Sequence, residues 1–281
     1  MQTIKNTIAE NSGVPGAHQL AKPEHQFTLD EVPDLSGKVA VVTGGSEGIG
    51  LASSATLLKH GISKIFILSP NPEHAGEALR FFEKVLGAPA IDRVTWVPCD
   101  LSDWSQTRSV ASLLASQIDR LDILLNVAGR GIMTAQRNRD DIDLHMALNH
   151  FGHVVLTSTL LPLLKKTADA GETVRIVTAG SNLHQNAPKE TTFADIAELN
   201  KDYGPNGQYG RTKLAAILYA RYLVLSSLVN PLSTSTNHIP YWAGEIMHST
   251  PSRKTSGMVL STWNSIKNPL SFTESPVKLT L

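Results

Sequence analysis

A chain of 281 residues with an apolar fraction of 41% has room for one α/β domain with a sizeable core, and is too polar for a membrane protein. Lys and Arg together number 25, as do Asp and Glu, so no net field draws the chain to nucleic acid or to an anionic membrane surface. Cys99 is the single cysteine, which excludes an intrachain disulfide and makes a reducing cytoplasm the expected location.

The start, from Met1 to Asn6, leads into polar sequence without the apolar core of a signal peptide. Residues 1–35 carry Pro15, Pro23 and Pro33 with little periodicity and read as a polar N-terminal extension. From Lys38 the character changes. Short β-branched runs predict strands at 39–42, 64–68, 94–97, 123–125 and 174–177, and helical spacing appears between them at 77–86 and 107–117. That alternation predicts an α/β fold over residues 36–225: a Rossmann-like, doubly wound parallel sheet in a three-layer αβα arrangement. The longest apolar run, 154–164, contains Thr157, Ser158, Thr159 and Pro162, and is too short and polar to span a bilayer. Over residues 226–281 Ser, Thr, Pro and Asn become dense and the strand–helix rhythm is lost. This stretch reads as a divergent or shortened C-terminal cap and tail of the same domain.

The first predicted strand runs directly into Thr43, Gly44, Gly45, Ser46, Glu47, Gly48, Ile49 and Gly50, with helix-like sequence over 51–58. Glycines permit the sharp turn and let backbone approach a pyrophosphate, and the helix start that follows offers unpaired N–H groups to the anion. A tight turn alone would explain the glycines; their place between a strand and a helix favours the dinucleotide reading. Selectivity between NAD and NADP is normally set at the end of the second strand. Here that stretch holds Ser69 and Asn71, which are neutral, so either cofactor is admissible. Glu47 argues mildly against a 2′-phosphate. Later in the chain Tyr209 and Lys213 stand four apart, on one face if helical.

Taken in order, these residues resemble the short-chain dehydrogenase/reductase family, and within it the retinol-dehydrogenase-like fungal members. The resemblance runs over residues 35–225. It rests on Thr43 before Gly-x-x-x-Gly-x-Gly, on Cys99-Asp100-Leu101, and on Asn126-Val127-Ala128-Gly129, where Val127 replaces the family's second Asn. It continues with Asn149 within 148–153, Ser181 at the end of the fifth strand, His184 after it, and Tyr209-x-x-x-Lys213. The family resemblance implies cofactor contacts from Asp100, Leu101, Asn126, Ala128, Gly129, Tyr209 and Lys213, with Asp100 at the adenine ring. Asp100 equally reads as a helix cap after the third strand. The resemblance implies Tyr209 as general acid or base, with its pKa lowered by Lys213 and by the oxidised nicotinamide. It makes Ser181 the hydrogen-bond donor to the substrate oxygen, and Asn149 the holder of a water that links Lys213 to solvent. The expected substrate is a small hydrophobic carbonyl or alcohol, with a secondary metabolite of a fungus as one class. The cofactor leans to NADP over NAD from the resemblance alone. No nucleic acid, membrane span or metal is expected, and the chain would be a monomer or homo-oligomer. His145, His150 and His153 lack a completing cysteine or carboxylate and read as helix-surface residues. Arg130, Arg137 and Arg139 are offset by Asp140, Asp141 and Asp143.

One departure stands out. Relatives carry a sixth strand ending in Pro-Gly after the Tyr-Lys helix, and no Pro-Gly pair follows Lys213 here; Val229-Asn230-Pro231 passes into the Ser/Thr-rich stretch instead. Two readings remain: a working oxidoreductase with a divergent cap, or a truncated, impaired homologue that binds nucleotide or a protein partner.

Overall fold

The computed structural model describes residues 28–131 and 134–229. The chain separates into two units, Met1–Asp34 and Leu35–Leu281. In the first, a 3-10 turn at Leu29–Glu31 is closed by the Thr28 N–H, which donates to Glu31 Oε1 at 3.0 Å.

The second unit is built on five strands among the described residues: β1 Val39–Thr43, β2 Lys64–Ser69, β3 Val94–Pro98, β4 Ile123–Asn126 and β5 Arg175–Thr178. All pair in parallel in the order β3-β2-β1-β4-β5, with Val41 in register with Phe66 on one side and Leu124 on the other. Parallel strands covered on both faces need apolar side chains at successive positions. Ala40, Val41, Val42, Ile65 and Ile67 meet that need and are wholly buried. The helices are α1 Gly48–Lys59, α2 Pro72–Leu86, α3 Trp104–Gln117, α4 Leu144–Asp169 and α5 Gly204–Val229, with short turns at Ala88–Ile91, Asn182–Asn186 and Ile196–Leu199. The predicted α/β architecture is therefore present.

Two predicted helices begin earlier than their apolar periodicity suggests, because side-chain caps set the starts. Asn71 Oδ1 accepts the N–H groups of Glu73 and His74, and Pro72 occupies the first helical position of α2. Asp103 Oδ1 accepts the Gln106 N–H at the head of α3. Asp100, read as a possible helix cap, instead closes the turn before that helix, its Oδ1 accepting from Ser102 N–H and Oγ–H.

The apolar run 154–164 proves to be the middle of α4, a helix long and apolar enough to cross a membrane by length and composition. Its most apolar window is 72% buried within the protein, which makes it a core helix. One of its faces packs with Leu114, Leu124 and Leu68 through Leu156, Leu160 and Leu164. Another packs with Trp104, Phe193, Leu218 and Tyr219 through Phe151 and Val155.

At the amino ends of β1 and β4, the Asp122 carboxylate is wholly buried and accepts from Val39 N–H at 2.9 Å and from Arg120 Nε at 2.9 Å. It fixes the starts of β1 and β4 side by side. Replacing Asp122 with Ala leaves a buried N–H without an acceptor, a loss of about 2–3 kcal/mol. A lower urea midpoint with unchanged slope is the expected result.

Candidate active site

Strand order reverses between β1 and β4, since β1 is followed by β2 and β3 on one side while β4 and β5 lie on the other. The carboxyl ends of β1 and β4 thus border the crevice in which doubly wound sheets place their ligands. The loop 43–50 leaves β1 here. Gly44 has φ +65°, a conformation that L side chains rarely adopt, and a Cβ on Gly50 would lie 2.1 Å from Gly44 O. Only glycine lets α1 start against that loop. Unlike α2 and α3, α1 has no side-chain cap: the Glu47 side chain at its head accepts no backbone N–H. An uncapped helix start behind a glycine cradle suits a pyrophosphate, so the residues fit the dinucleotide that the sequence implies.

The partner wall comes from β4. Thr43 Oγ1 accepts from Val127 N–H at 2.9 Å and Ala128 N–H at 3.0 Å. The side chain of Asn126 turns inward, donating to Thr157 Oγ1 at 2.9 Å. A Cβ on Gly129 would press on Asn149 Oδ1 at 3.3 Å. Ser46 is buried in the loop, whereas Ile49 is 72% exposed.

At the second strand, both neutral candidates are committed to local bonds. Ser69 is buried, its Oγ accepting from Trp96 Nε1 at 3.1 Å, and Asn71 Oδ1 is spent on capping α2. Glu47 Oε2 meets His74 Nδ1 at 2.8 Å, a pairing invisible to motif spacing. Leu101 belongs to the core beneath Asp100.

The chemical groups converge at the ends of β4 and β5. Ser181 caps the 3-10 turn Asn182–Asn186, accepting Leu183 N–H at 3.1 Å. His184 Nδ1 sits 2.7 Å from Ser181 O. Helix α5 can approach this turn because residue 210 is glycine; a Cβ there would stand 2.7 Å from Leu183 O. That approach brings the Tyr209 hydroxyl near enough to Ser181 for the serine to bear on its titration. One turn on, Lys213 lies with Nζ 5.5 Å from the Tyr209 ring centroid and donates to Ala179 O at 2.9 Å. Burial lowers the Lys213 pKa. Burial also holds the Tyr209 phenol above its ordinary value, against a weaker downward pull from Ser181. The lowering expected from Lys213 is thus not what the protein's own side chains produce, because removing the phenolate from water costs more than they return.

Asn149 occupies a π-helical turn, Ala147–Gly152, in α4. Such turns often mark functional sites. Its Oδ1 accepts Arg130 N–H at 2.8 Å, and its Nδ2 donates to Arg130 O at 3.0 Å and Thr212 Oγ1 at 3.3 Å. The side chain therefore ties the loop after β4 to α5.

The three histidines read as helix-surface residues are all buried, with exposures of 0%, 4% and 3% for His145, His150 and His153. The π turn and the packing of α5 on α4 turn them inward, which helical periodicity alone does not reveal. Among the described residues no cluster capable of holding a metal is present. Sequence reasoning also missed Arg211. It lies between Tyr209 and Lys213, is wholly buried, and donates to Glu198 Oε1 at 2.8 Å and Gln208 Oε1 at 3.1 Å. Its guanidinium stacks 4.8 Å from the Tyr203 ring. It locks the start of α5, and the only signal was its place inside the Tyr-x-x-x-Lys spacing.

A family model described as short chain dehydrogenase matches residues 38–192. The chain belongs to the short chain dehydrogenase family. It is 57% identical over 223 residues to a Neurospora crassa protein named as a mitochondrial oxidoreductase, bli-4, a match covering 79% of this chain and 53% of that protein. It is 29% identical over 231 residues to the polyprenol dehydrogenase of Homo sapiens, covering 75% and 66% of the two chains. The chain spans about half the length of the first curated relatives it matches, the second being a Colletotrichum higginsianum short chain dehydrogenase/reductase. A short chain dehydrogenase from Burkholderia cenocepacia, solved in complex with NADP, shares 28% identity and a TM-score of 0.52 over 69% of this chain and 70% of its own. A Mycobacterium paratuberculosis protein shares the fold, at 24% identity and a TM-score of 0.59 over 73% and 68%.

Two outcomes follow from this geometry. Gly50→Ala should weaken NAD(P)H binding at least tenfold and cost about 1–3 kcal/mol in stability, because a methyl has no room against Gly44 O. Binding by fluorescence titration and a thermal melt check both. Burial, with His153 nearby, pushes His150 down to about 3; burial pushes His153 down to about 4, against the pull of the Asn149 carbonyl and with help from the Lys213 charge. Both folded values lie below the unfolded one of about 6.5. Their contribution is therefore complete above pH ~6.5 and is lost as pH falls from there toward ~4. Melting temperatures recorded across that window should drop, and replacing His150 with Phe should reduce the drop.

Proposed function

We propose that this chain is an NAD(P)(H)-dependent oxidoreductase that interconverts a hydrophobic secondary alcohol and ketone, or an alcohol and aldehyde. The observation that carries this reading is the convergence of Ser181, Tyr209 and Lys213 beside the uncapped start of α1. The loop 43–50 would hold the pyrophosphate, and Lys213 together with the wall at Ala128 and Gly129 would hold the nicotinamide half. The bound dinucleotide supplies or takes the hydride.

The chain's own groups handle the proton. Tyr209 is half-buried and protonated near neutral pH, so it is ready to give its proton to a substrate oxygen during reduction. Ser181, beside the phenol, can turn its hydroxyl from Asn182 Oδ1 to the same oxygen and stabilise its developing charge. In oxidation Tyr209 must first lose its proton. The raised phenol pKa then places the rising limb of activity on the alkaline side. Oxidation should climb with pH toward 10, while reduction holds at neutral pH.

A hydrophobic substrate body is supported by the name of the human relative, which acts on a polyprenol. Two of the relatives are fungal oxidoreductases, with which a secondary metabolite of a fungus is compatible as one substrate class. The lean to NADP is supported by the Burkholderia cenocepacia structure in complex with NADP; the Glu47 carboxylate weighs against a 2′-phosphate. A cytoplasmic site of action fits the one cysteine, Cys99, which is buried with its thiol pushed up to about 11.

The second reading, an impaired homologue that binds nucleotide or a partner, draws on the departure from the family pattern after Lys213. That departure, the missing Pro-Gly turn and the tail over 230–281, lies outside the described residues. The intact proton-handling set favours the first. Separate titrations with NADH and NADPH, followed by a panel of hydrophobic ketones and alcohols, decide between them. Tyr209→Phe should lower turnover at least a thousandfold and leave NAD(P)H affinity within about threefold. Retained activity in that variant would overturn the mechanism. Binding without turnover in the native chain would support the second reading.

A further inference from the structure

A chain of buried hydrogen bonds joins the cofactor loop to the π turn of α4 through one side chain that neither the motifs nor the chemistry above employs. His153 follows the π turn Ala147–Gly152, and its own backbone N–H bonds to His150 O. Asn149 O is instead met by the His153 ring: Nδ1 lies 3.0 Å from it. A carbonyl only accepts, so Nδ1 carries the proton. The other ring nitrogen, Nε2, lies 2.9 Å from Thr43 Oγ1.

The valence of Thr43 decides the direction of that second bond. A hydroxyl has two lone pairs and one proton. Both lone pairs are engaged, by Val127 N–H at 2.9 Å and Ala128 N–H at 3.0 Å. The proton is left, and its two acceptors are Leu125 O at 3.3 Å and His153 Nε2 at 2.9 Å. A neutral Nδ1–H imidazole fits every partner. A protonated ring, or the opposite tautomer, would point an N–H at an oxygen whose lone pairs are already filled. One of the bonds that close β1 against β4 would then have to break.

We propose that His153 is a positioning residue for the cofactor site: its Nδ1–H tautomer couples the Asn149 carbonyl to the Thr43 hydroxyl and thereby holds the loop 43–50 against the wall at Val127 and Ala128. The proposal rests on the reading of that loop as the dinucleotide site. The titratable or charged groups that bear on the ring are Lys213 from α5 and His150 from its own helix. Lys213 disfavours a second positive charge beside it, and burial acts in the same direction. The neutral form is thus the one maintained by every neighbour except the Asn149 carbonyl.

Three variants of the full chain separate the two bonds. Leu fills a similar volume and makes neither. The amide nitrogen of Asn falls near Nδ1 and restores only the bond to Asn149. The amide oxygen of Gln reaches the Nε2 position and restores only acceptance from Thr43. In fluorescence titrations with NADH and with NADPH at neutral pH, His153→Leu and His153→Asn should each weaken binding about tenfold, the equivalent of losing the bond from Thr43, which is the one that bears directly on the loop. His153→Gln should bind within about threefold of the native chain. Ring-nitrogen NMR of the native protein should show Nδ1 protonated and Nε2 bare. Equal affinities for the Leu and Gln variants, or an Nε2–H ring, would overturn the proposal. If the Leu variant does not fold, the Gln and Asn pair and the NMR result decide it alone. A native chain that binds neither nucleotide overturns the reading of the site, and this proposal with it; native binding that survives His153→Leu overturns the proposal only.

Discussion

The Thr43 hydroxyl is the contact on which the functional end of this protein depends. A parallel sheet holds its central strands in register along their length, yet its ladder bonds stop where the strands stop. Beyond that point β1 and β4 must diverge into loops, and it is there that a doubly wound fold places its ligand. Thr43 bridges the gap by accepting two consecutive backbone N–H groups from the far loop. Gly44 then turns into the cradle, and Asn149 grips Arg130 just beyond the wall. The ligand crevice is a gap between strands that one hydroxyl and one amide prevent from opening.

The side that carries Tyr209 is held differently, by buried polar groups that bond to one another while Arg211 Nε and Glu198 Oε2 stay without a partner among the described residues. Arg211, Glu198, Gln208 and Asp143 form a connected set in which Gln208 Nε2 donates to Asp143 Oδ2 at 3.0 Å while Gln208 Oε1 accepts from Arg211. Such a set adds little net stability compared with apolar packing, but breaking it is costly, so it specifies one arrangement. That arrangement is what places the first turns of α5, and with them Tyr209, against Ser181. The electrostatic consequence is a phenol kept protonated by burial and an ammonium weakened by burial, with Ala179 O holding the latter in place.

Much of this was legible from residue order. The β-branched runs located all five described strands, since a strand buried on both faces must be apolar at successive positions and few other segments are. The glycine loop and the Tyr-Lys spacing announced themselves because their geometry tolerates few alternatives: a Cβ at residue 50 collides with backbone, and a four-residue step on a helix returns to the same face. Helix starts were less visible. Caps such as Asn71 and Asp103 are single polar residues ahead of a first turn with weak apolar periodicity, and they look like any loop residue until their partners are seen. The roles of Ser69, Asp100 and Asn149 were blurred for a related reason. A polar side chain can bond to backbone nearby or to a ligand, and spacing does not say which.

By itself, then, the sequence determined the α/β class, the strand positions, the glycine loop after β1 and the spacing of Ser181, Tyr209 and Lys213, the groups proposed to handle the proton. These are local properties, written in hydrophobic period and in backbone geometry that glycine alone permits. Only the tertiary structure decided that His145, His150 and His153 face inward, that Arg211 is buried and paired, and that Asn149 clamps a loop. It also decided that Glu47 meets His74 and that the Tyr209 phenol is raised. Each of these depends on what the fold sets opposite a side chain, on the desolvation that this neighbour imposes, and on which hydrogen-bond valences it leaves open.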